Sequence, residues 1–464
     1  MRVTKIRQKL LLLALTALIS VGASAATDTQ RLSEELREEM AYALGVQAYI
    51  YSYPLVHTNL FRWMWHDENS PRYVGPANKL NHFRELMNAE STVAATPNND
   101  TLYTLAFLDL TESPVVIEVP EMGDRYYTIQ LADMYASNFG ALGTRATKAK
   151  AGRYLVVPPN WNGTVPAGIE AVHKSPTPWV MALLRILVDG KEDLPEVNAL
   201  QDRFKLLSLA GTPLPAYSKP MPDIAIADKP LDVWRVINRA LTANPPVAHH
   251  ADIVRQFRSI GVGVGLSQDL SSLDDATKRG LKRAADTAHD IVKTLAADIS
   301  TKNVNNWGYP DPTIGRYGDD FAYRAAVTLM GLMANDPEEA VYMSSYTDAN
   351  GTLLDGKKHY TLHFDADNLP PAGAFWSNTM YDSKTYGFSN NVLNRFSIGD
   401  RTERLKYNDD GSLDIFIGPK ALNESEISNW LPTPDGEFYM FLRLYLPNSK
   451  VLDQTWAPPK VMPR

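Results

Sequence analysis

The 464-residue chain carries 46 Lys or Arg against 53 Asp or Glu, a formal charge of −7, with 44% apolar residues and no Cys. That is the composition of a folded chain with apolar material for about three folding units. Without Cys there is no disulfide scaffold, no thiolate metal site and no cysteine nucleophile.

The chain opens with an address. Arg2, Lys5, Arg7 and Lys9 precede an apolar run over 10–21 and the small residues Ala23-Ser24-Ala25, the pattern of an export signal. Cleavage is expected between Ala25 and Ala26, giving a periplasmic or secreted protein. The apolar run falls short of the ~20 residues that cross a bilayer, so no membrane span is expected after cleavage. Losing the segment removes four positive and no negative charges and takes the formal charge to −11. A surface of that sign repels phosphate backbones, and no nucleic-acid partner is expected.

Residues 26–92 read as a helical segment. Leu36, Met40, Ala43, Leu44 and Tyr51 recur at three- and four-residue steps over 29–65, and Pro54 is expected to end or kink the helix. Over 93–195 the period drops to two. Apolar runs at 101–110, 115–119, 126–132 and 154–157 alternate with Pro114, Pro120, Gly123, Gly143 and Gly152, which points to an antiparallel sandwich. Residues 196–345 return to helix. Ser272, Asp274 and Asp275 start one carrying Leu281, Ala284, Ala288 and Ile291 on a single stripe, and Asp319 or Asp320 caps another through Phe321, Ala325, Leu329 and Met333. Strands resume over 346–464, at 360–364, 374–381, 404–407 turning at Asp410-Gly411 into 413–418, and 438–446.

Standard catalytic signatures fail on inspection. Gly261-Val262-Gly263-Val264-Gly265 follows a predicted helix and has Leu266 where a dinucleotide loop needs its third glycine, so it reads as a turn between helices. There is no nucleophile elbow, zinc-protease helix or phosphate loop. His359 and His363 lie ~13 Å apart on a predicted strand, too far to share a metal, and His249-His250 reads as a helix entry. No metal and no cofactor are expected.

Buried polar residues are more informative. Alternation puts Asp133 on an apolar strand face with Ile129, Leu131 and Tyr135, where its carboxylate needs Arg145, backbone amides or a site role to answer it. Asn98-Asn99-Asp100 either builds the turn before the strand at Thr101 or binds a ligand. On the C-terminal strand Phe438, Met440, Leu442, Leu444 and Leu446 share one face, and Phe441, Arg443 and Tyr445 the other. Arg443 is answered by an internal Asp382 or Asp409, or by an acidic ligand. Around Trp376 and Tyr381 both strand faces mix polar and aromatic residues, which suits a pocket wall.

Two blocks carry a family resemblance. The run Thr96-Pro97-Asn98-Asn99-Asp100-Thr101-Leu102-Tyr103, with Asp109-Leu110, Pro114, Tyr126-Tyr127 and Asp133, resembles the exported family of domain of unknown function 1254. Phe375-Trp376-Ser377-Asn378-Thr379-Met380-Tyr381-Asp382, with Asp410-Gly411, Asn429-Trp430-Leu431-Pro432 and Arg443-Leu444-Tyr445, resembles its companion, domain of unknown function 1214. Asn378 departs from the apolar residue expected there. The resemblance implies an α+β multidomain chain: an immunoglobulin-like β-sandwich, helical segments and a C-terminal jelly roll. It implies no catalytic residue. Candidate ligand-binding residues are Asn99, Asp100, Tyr103, Asp133, Arg145, Trp376, Tyr381 and Arg443. The expected function is binding, with or without conversion, of a small polar or anionic molecule. A metal-independent hydrolase or lyase and a purely structural or partner-binding module are the alternatives.

Overall fold

The computed structural model describes residues 33–91, 96–222 and 231–464, with 2–32 entering only as backbone of the long helix Arg2–His66. The side chains of the export signal expected at 1–25 lie outside the described residues. Among the described residues no helix is long and apolar enough to cross a membrane. The chain forms two compact units, one from residues up to 50, 224–242 and 248–291, the other from 51–223, 243–247 and 292–464.

The smaller unit is helical. Pro54 does not end the first helix, which runs on to His66. Nor is its buried face the expected one: Leu36 and Met40 are 70% and 45% exposed, while Ala41, Gly45 and Ala48 are buried. The cause is a close crossing with the helix Asp275–Ala296. A methyl group added at Gly280 would lie 2.3 Å from the Glu38 carbonyl oxygen, and one at Gly45 2.7 Å from the Ala284 Cβ. Only small residues fit a seam that tight. Arg279 and Arg283 fasten it by reaching Glu38 at 2.7 and 3.0 Å. Gly261, at φ +81°, closes the preceding helical stretch, so the glycine run is a turn there.

The larger unit carries the sheets. Its first nine strands are β1 (Asn81–His82), β2 (Thr101–Asp109), β3 (Val115–Val119), β4 (Tyr127–Asp133), β5 (Asn138–Gly143), β6 (Gly152–Val157), β7 (Ile169–Lys174), β8 (Trp179–Leu187) and β9 (Lys205–Leu207). They form an antiparallel sheet of order β1-β2-β8-β4-β5 and a mixed one of order β7-β6-β3-β9. Leu102, Ala106, Leu184 and Ile186 from the first sheet share one core with Val115, Ile117 and Val156 from the second.

The remaining strands are β10 (Ser300–Val304), β11 (Trp307–Pro310), β12 (Ala340–Ser345), β13 (Tyr360–Phe364), β14 (Ala372–Asp382), β15 (Ser397–Gly399), β16 (Leu413–Gly418), β17 (Trp430–Pro432), β18 (Phe438–Pro447) and β19 (Met462–Pro463). A six-stranded sheet, β10-β11-β12-β18-β14-β15, shares a core with the four-stranded sheet β17-β16-β13-β19. The fold is mixed α+β, with four sheets and no barrel among the described residues.

Two expectations are corrected. Strands β9, β10, β11 and β12 fall in the stretch 196–345 read as helical. Residues 404–407 are not a strand, because the Asn429 side chain takes both the N–H and the carbonyl of Lys406, at 2.9 and 2.7 Å, and leaves no ladder to join. The Asp410-Gly411 turn itself forms, with Gly411 at φ +84°.

Candidate functional site

Side-chain alternation decides what faces what. On β8, Val180, Ala182, Leu184 and Ile186 enter the core, which turns Met181, Leu183 and Arg185 to the opposite face. On β18, Met440, Leu442 and Leu444 enter the other core and turn Phe441, Arg443 and Tyr445 away from it. Each arginine therefore stands alone in an apolar strand, on the face that its own sandwich does not use. Cross-strand pairing gives each a tyrosine: Tyr103 of β2 lies opposite Arg185, and Tyr342 of β12 opposite Arg443.

These faces enclose a cavity of about 430 Å³, with mainly apolar walls completed by the loop after the helix Phe321–Met330 and by the end of the long helix. Both arginines are 5% exposed. Arg185 donates from Nη1 to Gln130 Oε1 at 2.7 Å and Asn335 Oδ1 at 3.1 Å, and from Nη2 to the Met333 carbonyl at 3.0 Å. Arg443 donates from Nη2 to the Thr96 carbonyl at 3.1 Å and the Tyr381 hydroxyl at 2.6 Å, while its buried Nη1 has no partner. Neither forms an ion pair among the described residues. The acid whose field reaches Arg443 is Asp100, and its carboxylate already accepts from Arg401 at 3.1 Å and Ser377 at 2.7 Å. Burial works against both guanidinium charges, but the surrounding tyrosines outweigh it and hold them above their ordinary value.

The arginines belong to one polar pole. Asn335 accepts from Arg185 and donates through Nδ2 to the Tyr342 hydroxyl at 2.6 Å, and the Tyr342 ring lies 5.6 Å from the Arg443 guanidinium. Asn98 donates to the Tyr445 hydroxyl at 2.8 Å. Since both phenol oxygens accept, both phenol hydrogens remain to donate. Burial pushes His57, which also lines the cavity, down to about 4, so it is neutral at pH 7.

The model of one protein family of unknown function, DUF1254, matches residues 77–208, and that of a second, DUF1214, matches 339–449. The chain belongs to this two-part family, DUF1254 followed by DUF1214. Tyr103 and Arg185 come from the DUF1254 part, and Tyr342, Arg443 and Tyr445 from the DUF1214 part, so the cavity needs both. No curated protein matches the chain. Among solved structures, the VPA0106 protein of Vibrio parahaemolyticus is 23% identical, with a TM-score of 0.70 over 91% of this chain and all of that one. That likeness shows the fold. An uncharacterized protein from Burkholderia cenocepacia is 12% identical, with a TM-score of 0.42 over 95% of this chain and 97% of its own.

The expected site residues of the DUF1254 part scatter. Tyr103 lines the cavity. Asn99 is half-buried, with its Oδ1 unpartnered, while neighbouring Asn98 lines the cavity. Asp100 is tied to Arg401 and Ser377. Asp133 is buried and not bonded to Arg145. Its Oδ1 takes the amides of Tyr135 and Ser137 at 2.9 and 3.0 Å, because the chain turns back over the end of β4. Burial, opposed by those amides and by Arg324, pushes Asp133 up to about 6. Arg145 instead meets Glu339 at 2.7 Å.

In the DUF1214 part, Arg443 is answered neither by Asp382, which caps its own turn at Lys384 and Thr385, nor by Asp409. Tyr381 supports Arg443 from behind and donates to the Pro97 carbonyl at 2.5 Å. Trp376 is core, packed on Phe364. Asn378 is fully buried beside Met440 with Oδ1 unpartnered, and nothing in the structure explains it. Sequence reasoning missed Arg185 and Tyr342 as site residues, and of the Asn98-Asn99-Asp100 run it carried Asn99 and Asp100 forward as candidates where the cavity takes Asn98. Arg185 carried the same signal as Arg443, one cation inside a strand otherwise apolar from Trp179 to Leu187.

Proposed function

We propose that this protein binds a small organic anion in the cavity between the DUF1254 and DUF1214 sheets. What supports this is a single observation: two deeply buried guanidiniums, with no carboxylate bonded to either among the described residues, face one cavity. Burying a charge is costly unless it is paired and hydrogen-bonded, and one Arg443 nitrogen is buried without any acceptor. An anion in the cavity supplies the missing charge. The test is calorimetric titration of the mature protein with small carboxylates, alongside the Arg443→Lys variant. Lysine keeps the charge but loses the planar fork, so affinity is expected to fall at least tenfold while the thermal midpoint moves by only a few degrees. Equal affinity in parent and variant sinks the assignment of Arg443 to the ligand.

We also take the site to operate after export, with residues 1–25 removed, and take 93–195 as an immunoglobulin-like sandwich and 346–464 as a jelly roll. Support for export is the basic, apolar and small-residue order of the leader. The intact mass of the exported protein, expected to begin at Ala26, checks it.

A further inference from the structure

The cavity is polarised along its length. Arg185, Leu183 and Met181 line it in succession on β8, and at ~3.3 Å per residue the arginine lies ~13 Å from the methionine. Arg443 joins the Arg185 end through Tyr342 and Asn335. The Met181 end is aromatic. Met181 pairs across the sheet with Phe107, whose ring lies 5.9 Å from Trp65, and Trp65, Phe61 and His57 make edge-on and tilted ring contacts in succession along the long helix. His57 is neutral there, and Arg72, which also borders the cavity, is exposed, so water satisfies its charge. The far end thus offers no buried charge, whereas the near end offers two.

Resting on the anion-binding reading above, we infer that the occupant is a medium-chain monocarboxylate, its carboxylate held by Arg443, Arg185 and the Tyr342 and Tyr445 hydroxyls, its apolar chain directed along β8 toward Met181 and Trp65. The free donors suit a carboxylate, whose two oxygens accept about four hydrogen bonds. The distance between the two ends sets the chain, and it matches a straight-chain acid of about ten to twelve carbons. With C–C bonds of ~1.5 Å in zigzag, such a chain spans the ~13 Å between the two ends.

Calorimetric titration of the mature protein with straight-chain carboxylates of two to fourteen carbons tests this, with inorganic phosphate and the matching α,ω-dicarboxylates alongside. Affinity is expected to rise about fourfold per methylene up to about ten carbons and then level off. Dicarboxylates of the same length should bind at least tenfold more weakly, because a second charge has no buried partner at the Met181 end. Met181→Phe, with Leu183→Phe as a second route if the first misfolds, should shift the best chain length down by two or more carbons. Arg443→Lys should instead weaken every chain length. Acetate or phosphate binding as tightly as decanoate, a dicarboxylate matching it, or a best length unmoved in both phenylalanine variants would each overturn the amphiphile and leave the anion site standing. Absence of binding by any anion would remove both.

Discussion

Two buried polar clusters in the larger unit have opposite logic. Glu339 and Asp133 both find their hydrogen-bond partners within the chain. Glu339, 3% exposed, accepts from Arg145 at 2.7 Å and from the Tyr126 hydroxyl at 2.6 Å, and Asp133 accepts two backbone amides. Around Arg185 and Arg443 burial is as deep, but the acceptors are neutral carbonyls, amides and phenols, and one donor has none. Depth of burial therefore does not separate a fastening from a site. What separates them is whether each buried polar atom finds a partner within the chain, since an internally closed cluster leaves a ligand nothing to complete.

The largest expected effect that divides the clusters is at Asp133. Asp133→Ala strands two buried amides and should lower stability by roughly 2–4 kcal/mol in urea unfolding at pH 7, with carboxylate affinity of the folded protein unchanged. The pH dependence has a definite sign. Asp133 stands at about 6 in the fold against an ordinary value of 3.8, so between those values the native state binds the extra proton. Its contribution is fully present below pH 4 and is lost as pH rises through 6, by up to about 3 kcal/mol. Asp133→Asn keeps an oxygen for the amides and should flatten that part of the profile. A parent and an asparagine variant with the same slope over pH 4 to 6 would show that Asp133 does not titrate there.

At Glu339 a smaller loss is expected. Gln offers one oxygen where two donors need acceptors, but the Arg145 side chain is 33% exposed and can turn to water, which leaves the Tyr126 hydroxyl as the group at risk. Glu339→Gln should cost about 1–2 kcal/mol in thermal unfolding and leave anion binding intact. A loss of anion affinity at unchanged stability would join the two clusters into one site and erase the contrast between them.

How much of this was legible in the sequence differs element by element. The two faces of β18 followed from alternation alone, and the structure keeps them, except that Leu446, at φ +53°, leaves the core face. Helix faces were harder. In the long helix the apolar stripe misled because the tight crossing with Asp275–Ala296 selects Ala41, Gly45 and Ala48 for size, not for hydrophobicity. The site was half visible. Arg443 stood out as a cation among aromatics, yet its partners Thr96 and Tyr381 come from separate segments, a convergence that no local pattern encodes. Tyr342 was hidden because β12 fell in a stretch read as helical, and with it went the cross-strand pair that joins Arg443 to Arg185.

The smallest expected effect lies at that joint. Tyr342 accepts from Asn335, which holds Arg185, and stands opposite Arg443, so its hydroxyl links the surroundings of the two arginines. Tyr342→Phe keeps the ring over Arg443 and removes only the oxygen. In the ligand-free protein the change leaves the part-buried Asn335 amide without an acceptor, which costs about 1 kcal/mol. With a carboxylate bound, the loss of one donor should weaken affinity about five- to tenfold, less than at Arg443, where a charge and a fork are involved. Thermal unfolding and calorimetric titration on the same preparation measure both. If stability falls as expected while carboxylate affinity is untouched, the Tyr342 hydroxyl belongs with Glu339 and Asp133 as a fastening, and the open pole shrinks to the arginines and Tyr445.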